Sequence, residues 1–185
     1  MSSTAEAAEA GGGRRERLFF ALWPEPAVQE ALTRLGRRLV RKGGRRLPPE
    51  AVHLTLVFLG WVDPATRACL ERGAGEVSVP PFELVIDRAG AFPRARVVWV
   101  GPGVTPQPLA RLEAALREAA ARCGLETDTR PFVPHVTLAR KAAPVPGGPL
   151  PEPVRWPVAD FALVRAHLRP GGAEYEVLRR WPLRA

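Results

Sequence analysis

The sequence has few cysteines and no long apolar run, and each shortage argues against a class of protein. No stretch of about 18 apolar residues occurs in the 185-residue chain, so a membrane-spanning helix is not expected. Cys69 and Cys123 are too few for a disulfide framework and too far apart for a Cys-x-x-Cys motif. We therefore expect both cysteines to pack unpaired on apolar helix surfaces, in a reducing, cytoplasmic setting.

The chain is also poor in lysine, although it is strongly basic. Its formal net charge is +8, and only Lys42 and Lys141 among the 27 basic residues are lysine. A positive field raises the local concentration of phosphate-bearing ligands, so the charge favours a polyanionic partner. An arginine excess of this size also arises from genome composition, so the charge alone leaves a nucleic-acid ligand undecided.

Hydrophobic patterning predicts helices and strands in one bilobal domain. Residues 1–16 are expected to be a disordered leader, and residues 17–185 to form the domain. Amphipathic helices are predicted after Pro26 and after Pro106, the second capped by Thr105, and a short helix capped by Asp63 is predicted to begin at Pro64. Strands are predicted at residues 17–23, 52–60, 80–89, 96–101, 134–140, 158–168 and 174–181, and a mobile loop at residues 141–153. Several hairpin links favour an α+β fold over a doubly wound parallel sheet.

A short internal repeat occurs in two of the predicted strands. Residues 53–56 and 135–138 both read His, an aliphatic residue, Thr and Leu. Since alternate strand residues face the same side, His53 projects with Thr55 and His135 projects with Thr137. One such pair is explained more simply by a structural histidine, but the chain has only three histidines. Two copies predict a site between two similar lobes.

Two imidazoles near neutral pKa can hold opposite protonation states, so one accepts a proton while the other donates one. At phosphorus, the accepting histidine would activate water and the donating histidine would protonate the leaving oxygen. Thr55, Thr137 and Arg140 supply donors for the non-bridging oxygens. Hydrolysis of a strained cyclic phosphodiester needs few groups beyond these two histidines and the phosphate-binding donors.

Other chemistries are poorly supported by the sequence. A catalytic zinc usually takes three protein ligands, whereas each motif offers one imidazole, so we expect no metal and no cofactor. Ser2, Ser3 and Ser78 lie in no Gly-x-Ser-x-Gly elbow, which argues against a serine nucleophile. His167 lies beside a Pro-Gly-Gly turn and is expected to be a surface or structural residue.

These motifs resemble the 2H phosphoesterase superfamily, which is named for paired His-x-Thr-x motifs. Within it, the chain is similar to the RNA 2′,3′-cyclic phosphodiesterases of bacteria and archaea, also called 2′-5′ RNA ligases. The resemblance runs through residues 17–22, 53–60, 90–93, 130–140 and 175–178. It implies a bilobal α+β fold with both motifs facing a basic cleft. It also implies ATP-independent hydrolysis of a terminal RNA 2′,3′-cyclic phosphate to a 2′-phosphate.

The resemblance further implies a role for each site residue. His53 corresponds to the proton donor to the 3′ oxygen, and His135 corresponds to the proton acceptor from water. Thr55, Thr137 and Arg140 correspond to the residues that bind the phosphate. The implied partner is RNA with a 2′,3′-cyclic phosphate end. We expect the protein to be a monomer that binds no membrane and needs no protein partner.

Three alternatives stay open at this point. The same site could run in reverse, with a ribose hydroxyl in place of water, as an RNA ligase. A non-catalytic module could hold RNA ends without turning them over, or the substrate could be a small cyclic nucleotide. Phe92, Trp99 and Phe132 either belong to the core or stack on a base, as aromatic residues often do in proteins that bind single-stranded RNA.

Overall fold

The computed structural model describes residues 13–185 as a sheet covered by helices. The elements are β1 (Glu16–Leu22), α1 (Pro26–Leu39), β2 (Arg45–Arg46), a 3₁₀ turn (Pro49–Ala51), β3 (Leu54–Val62), α2 (Pro64–Gly75), β4 (Phe82–Phe92), β5 (Val97–Gly101), α3 (Gln107–Arg122), β6 (Val136–Arg140), β7 (Gly148–Val158), β8 (Asp160–Arg169) and β9 (Gly172–Pro182). The predicted α+β class is confirmed. Of the predicted leader, residues 1–12 lie outside the described residues, and Glu16 already belongs to β1.

The strands form one sheet in the order β7-β4-β5-β6-β3-β1-β8-β9, and β2 pairs with β6 beside this path. Its two parts meet where Leu54 of β3 pairs with Val136 of β6. We call β3, β1, β8 and β9 the His53 half, and β6, β5, β4, β7 and β2 the His135 half. Each half contains a strand, a helix and an antiparallel second strand in sequence, β1-α1-β3 and β5-α3-β6. The prediction of two similar lobes is therefore confirmed.

The helices cover one face of the sheet, and α1 and α3 each pack on the half to which the preceding strand does not belong. α1 packs against β6 and β7, and α3 packs against β3, so each helix contacts the half opposite to its preceding strand. Their leucines meet the strand residues in a single core: Leu32, Leu35, Leu109, Leu112, Leu116, Leu54, Leu56, Val136 and Leu138. Full burial of such a side chain contributes about 1.5–3 kcal/mol to folding. The opposite side of the sheet, which we call the open face, carries the polar positions of both motifs.

Local signals explain where the helices begin and end. The Asp63 carboxylate accepts a hydrogen bond of 2.8 Å from the Thr66 backbone N–H, which caps α2 as predicted. The prediction that Thr105 caps α3 is wrong, because Pro106 holds the N-cap position and no side chain caps the helix there. Gly124 follows the last turn of α3 with a φ of 80°, a conformation that glycine adopts without steric cost.

The predicted loop at residues 141–153 is wrong for its second part, because β7 begins at Gly148. Gly148 and Pro149 pair with β4, and after an irregularity the pairing resumes at Val154 and continues to Val158. β7 lies at the edge of the sheet, where a strand needs hydrogen bonds on one side only. An edge strand therefore tolerates the prolines that argued for a loop.

The expectation of unpaired cysteines is also wrong. Cys69 of α2 and Cys123, which caps the C-terminus of α3, form a disulfide with their Cα atoms 5.9 Å apart. The two helices lie close together, since a β-carbon on Gly73 would lie 3.1 Å from the Ala119 Cβ. Closing a loop of 54 residues stabilises the fold by about 4 kcal/mol in the chain-entropy account. Because the two cysteines are paired, they do not indicate a reducing setting.

In the described part of the chain, residues 13–185, no helix combines the length and the apolar character needed to cross a membrane.

Candidate active site

The two motifs lie side by side where the halves of the sheet meet. His53 and His135 directly precede β3 and β6, and the residues after them, Leu54 and Val136, are paired and fully buried. Because the strands are antiparallel, the register places the histidine of each motif opposite the threonine of the other. The four polar side chains therefore share the open face around one junction.

Both imidazoles are held by the same backbone contact. The Nδ1 atom of His53 lies 2.8 Å from the Ala51 carbonyl oxygen, and the Nδ1 atom of His135 lies 2.8 Å from the Val133 carbonyl oxygen. A carbonyl oxygen only accepts, so Nδ1–H is the donor in each contact. This fixes the tautomer and leaves Nε2 of each ring for proton transfer to or from a ligand.

His53 lies among three aromatic rings. Trp23 stacks on it with ring centroids 4.9 Å apart and 7° between the planes. Tyr175 contacts it edge-on at 4.9 Å, and Phe19 lies at 5.1 Å. Burial lowers the pKa of His53 from 6.5 to about 4; the hydrogen bond to the Ala51 carbonyl opposes this, and the positive charge of Arg140 adds to the lowering. His53 is therefore neutral at pH 7 in the free protein.

His135 has a more open environment with fewer rings. Phe92 meets it edge-on at 5.1 Å, and Trp99 lies at 6.3 Å. Burial also lowers the pKa of His135, opposed by the Val133 carbonyl and assisted by Arg140. Gly90 makes room for this arrangement, because a β-carbon there would lie 2.4 Å from the Trp99 ring.

Arg140 reaches the open face through an irregularity in β6. Trp99 pairs with Thr137, but the next residue of β5, Val98, pairs with Ala139, so β6 contains one extra residue. Strict alternation from Thr137 would turn Arg140 towards the core side. The bulge restores it to the side of the threonine, in agreement with its lowering of the pKa of both histidines.

The five residues predicted from the sequence thus surround one junction of the sheet, whereas His167 does not belong to it. His167 is partly exposed, and its Nε2 lies 2.8 Å from a carboxylate oxygen of Glu176, in agreement with the predicted surface or structural role. Phe132 packs against the core. No group of three or more His, Cys, Asp or Glu side chains within residues 13–185 is arranged to hold a metal ion.

Sequence reasoning missed several residues of the open face. The sequence patterns place Trp23 at the end of a strand and Tyr175 in a strand within the family resemblance, but they give neither residue a role in the site, although both contact His53. Beyond Thr55, the large side chains of Phe58 and Trp61 are 62% and 57% exposed. The available signal was the presence of aromatic residues next to a polar motif. The sequence of an apolar strand does not, however, show which of its side chains are exposed.

Two similar antiparallel halves, each presenting His-x-Thr on one shared face, define a 2H phosphoesterase. The family model of the 2′-5′ RNA ligase superfamily matches residues 24–170, and the chain belongs to that superfamily. The RNA 2′,3′-cyclic phosphodiesterase of Escherichia coli (strain K12) is 36% identical over 171 residues, which cover 91% of this chain and 97% of that protein.

Further relatives agree with this assignment. The RNA 2′,3′-cyclic phosphodiesterase of Thermus thermophilus is 35% identical over 186 residues, covering 91% of this chain and 90% of that protein. The solved structure of E. coli LigT complexed with 3′-AMP superposes with a TM-score of 0.81 at 34% identity, covering 91% of this chain and 98% of that chain.

Proposed function

We propose that this protein is an RNA 2′,3′-cyclic phosphodiesterase, which converts a terminal 2′,3′-cyclic phosphate to a 2′-phosphomonoester. The observation that carries the proposal is the pairing of two histidines, each anchored through Nδ1, with two threonines and an arginine on one face. Two relatives that match nearly the whole chain bear the same name.

In the proposed mechanism, Arg140, Thr55 and Thr137 bind the non-bridging oxygens of the cyclic phosphate. Nε2 of His135 takes a proton from water as the water oxygen bonds to phosphorus. Nε2 of His53 gives a proton to the 3′ oxygen as the bond between phosphorus and that oxygen breaks. The products are a 2′-phosphate and a free 3′ hydroxyl, and each proton transfer is worth about 10²–10⁴ in rate.

Substrate binding supplies the proton state that this mechanism needs. Burial lowers the pKa of both histidines in the free protein, and His53, with a pKa of about 4, is neutral at pH 7. The cyclic phosphate carries a negative charge, and an opposite charge within a few ångströms favours the protonated imidazole. The bound anion therefore raises the pKa of His53 and allows it to act as the acid.

The direct test is an assay of an RNA oligonucleotide that ends in a 2′,3′-cyclic phosphate, with EDTA present. We expect turnover to a 2′-phosphate at an unchanged rate, because the site residues supply both proton transfers without a metal. Loss of activity in EDTA, or binding without turnover, would contradict the proposal. Binding without turnover would instead indicate a non-catalytic RNA-end-binding module.

The same groups can run the reverse reaction. If a ribose hydroxyl occupies the position of the water, His135 deprotonates it and attack on the cyclic phosphate joins two RNA ends. We propose hydrolysis as the main direction, since water is present at far higher concentration than RNA ends. Incubating the protein with hydroxyl-ended and cyclic-phosphate-ended oligonucleotides, and resolving products by length, measures the ratio of ligation to hydrolysis.

We propose that residues 16–185 act as one domain and as a monomer, because β1 begins at Glu16 and both motifs and Arg140 come from a single chain. Light scattering of the purified protein checks the monomer. We also propose that the enzyme acts in the cytoplasm, as expected for an enzyme whose substrate is RNA. The Cys69–Cys123 disulfide argues the other way, since structural disulfides are uncommon in that compartment. Differential alkylation of the cysteines in intact cells decides between the two.

A further inference from the structure

Arg45 shares the open face with Arg140. It lies in β2, which pairs with β6 so that Arg45 is directly opposite Arg140. Side chains at directly opposite positions of an antiparallel pair project to the same side of the sheet. Arg45 is exposed, and no acidic residue within residues 13–185 forms an ion pair with it. Its charge is therefore available for a ligand.

The Arg45 side chain crosses from one half of the sheet to the other. Its guanidinium lies against the β8–β9 turn of the His53 half, where a β-carbon on Gly172 would be 2.9 Å from Nη1 and one on Gly171 would be 3.3 Å away. The two glycines leave space for the guanidinium at this turn. Arg45 therefore places a positive charge at the border of the site, between the two halves.

Arg140 and Arg45 are placed for different phosphates. The charge of Arg140 lowers the pKa of both histidines, so its guanidinium lies near the reacting centre. The Arg45 guanidinium lies instead at the hairpin turn, on a strand about 4.8 Å from that of Arg140. A nucleoside cyclic phosphate has no second phosphate to offer Arg45. An RNA strand has one, on the 5′ side of the same ribose.

We propose that Arg45 binds the phosphodiester on the 5′ side of the terminal nucleotide and thereby sets a preference for RNA strands over cyclic mononucleotides. This inference rests on the proposed function and specifies its substrate. A charge-assisted contact of this kind is worth about tenfold in affinity, which corresponds to about 1.4 kcal/mol.

Arg46 provides a matched control one residue away. It pairs with Ala139, whose side chain faces the core side, and its Nη1 donates a hydrogen bond of 2.9 Å to the Val40 carbonyl oxygen. Arg46 thus has the same charge and the same strand but projects away from the open face. Any effect of general charge should appear equally in Arg45→Ala and Arg46→Ala.

The experiment compares two substrates, a nucleoside 2′,3′-cyclic phosphate and a dinucleotide ending in the same cyclic phosphate. We expect Arg45→Ala to raise KM for the dinucleotide about tenfold and to leave the nucleoside kinetics unchanged. Arg46→Ala should change neither KM, and Arg45→Lys should recover part of the loss. An equal effect of Arg45→Ala on both substrates, or no effect, would overturn the inference.

A substrate change tests the same contact without relying on the fold of a variant. Replacing the linking phosphodiester by an uncharged methylphosphonate should raise the wild-type KM about tenfold and leave that of Arg45→Ala unchanged. Equal KM values for the charged and neutral dinucleotides in the wild type would overturn the role of Arg45 while the proposed function stands. If the wild type hydrolyses neither dinucleotide, both the role of Arg45 and the proposed function are overturned.

Discussion

His53 and His135 share a motif and a backbone contact but differ in their surroundings. Each directly precedes a strand and contacts through Nδ1 the carbonyl oxygen two residues before it. His53 is enclosed by Trp23, Tyr175 and Phe19, whereas His135 meets Phe92 at a ring edge and Trp99 at a longer distance. Burial lowers the pKa of both rings, that of His53 to about 4.

The difference shows that the motif fixes geometry and the surroundings fix protonation. Both rings present Nε2 to the same junction, so the motif by itself does not distinguish an acid from a base. The closer aromatic enclosure makes His53 more dependent on the charge of a bound phosphate for its proton. Changes to the rings should therefore separate the two histidines in function.

The largest expected effect comes from removing either imidazole. His53→Ala and His135→Ala should each lower kcat by about 10²–10⁴ while circular dichroism shows an intact fold. Because the two act in one step, the double variant should lose much less than the product of the single losses. His167→Ala is the matched control, and its kcat should equal that of the wild type. Retained turnover in either site variant would contradict the pairing.

The pH dependence of kcat/KM gives the next largest effect. The step needs one protonated and one neutral histidine, and the pKa of both lies below 6.5 in the free protein. Raising the pH above about 6.5 removes the required proton, so kcat/KM should fall about tenfold per pH unit. At low pH both rings become charged, and the rate falls again. The pH profile of kcat should be shifted to higher pH than that of kcat/KM, since bound phosphate raises the pKa of both histidines. A flat kcat/KM between pH 7 and 9 would contradict this.

A smaller effect is expected from opening the aromatic enclosure. Trp23→Ala exposes His53 to water and should raise its pKa by about one unit or more, towards that of a free imidazole. Phe92→Ala is the counterpart in the other half and should move the pKa of His135 less. NMR titration of the histidine ring signals in phosphate-free buffer measures both values. An unchanged pKa of His53 in Trp23→Ala would show that these rings are not the cause of its depression.

Sequence patterns predicted what depends on local periodicity. Alternation in the strands placed His53 with Thr55 and His135 with Thr137, and the repeat of the motif indicated two similar halves. Their arrangement around one junction, through the pairing of Leu54 with Val136, agrees with that prediction. Such features depend on residues that are close together in the chain, so they can be predicted from sequence patterns.

Features that depend on contacts between distant segments could not be predicted in this way. Alternation alone would have turned Arg140 away from the site, and only the bulge in β6 brings it back. The Cys69–Cys123 disulfide depends on the packing of α2 against α3. The enclosure of His53 combines Trp23 with Tyr175, which come from opposite ends of the chain.

The two histidines have different tasks in the proposed mechanism, and one measurement separates these tasks directly. A dinucleotide 2′,3′-cyclic phosphate with sulfur in place of the 3′ oxygen has a leaving group that departs as a thiolate and needs no proton. We expect this substrate to restore most of the activity lost in His53→Ala and none of that lost in His135→Ala. Recovery in His135→Ala instead, or in neither variant, would contradict the assignment of His53 as the acid and His135 as the base.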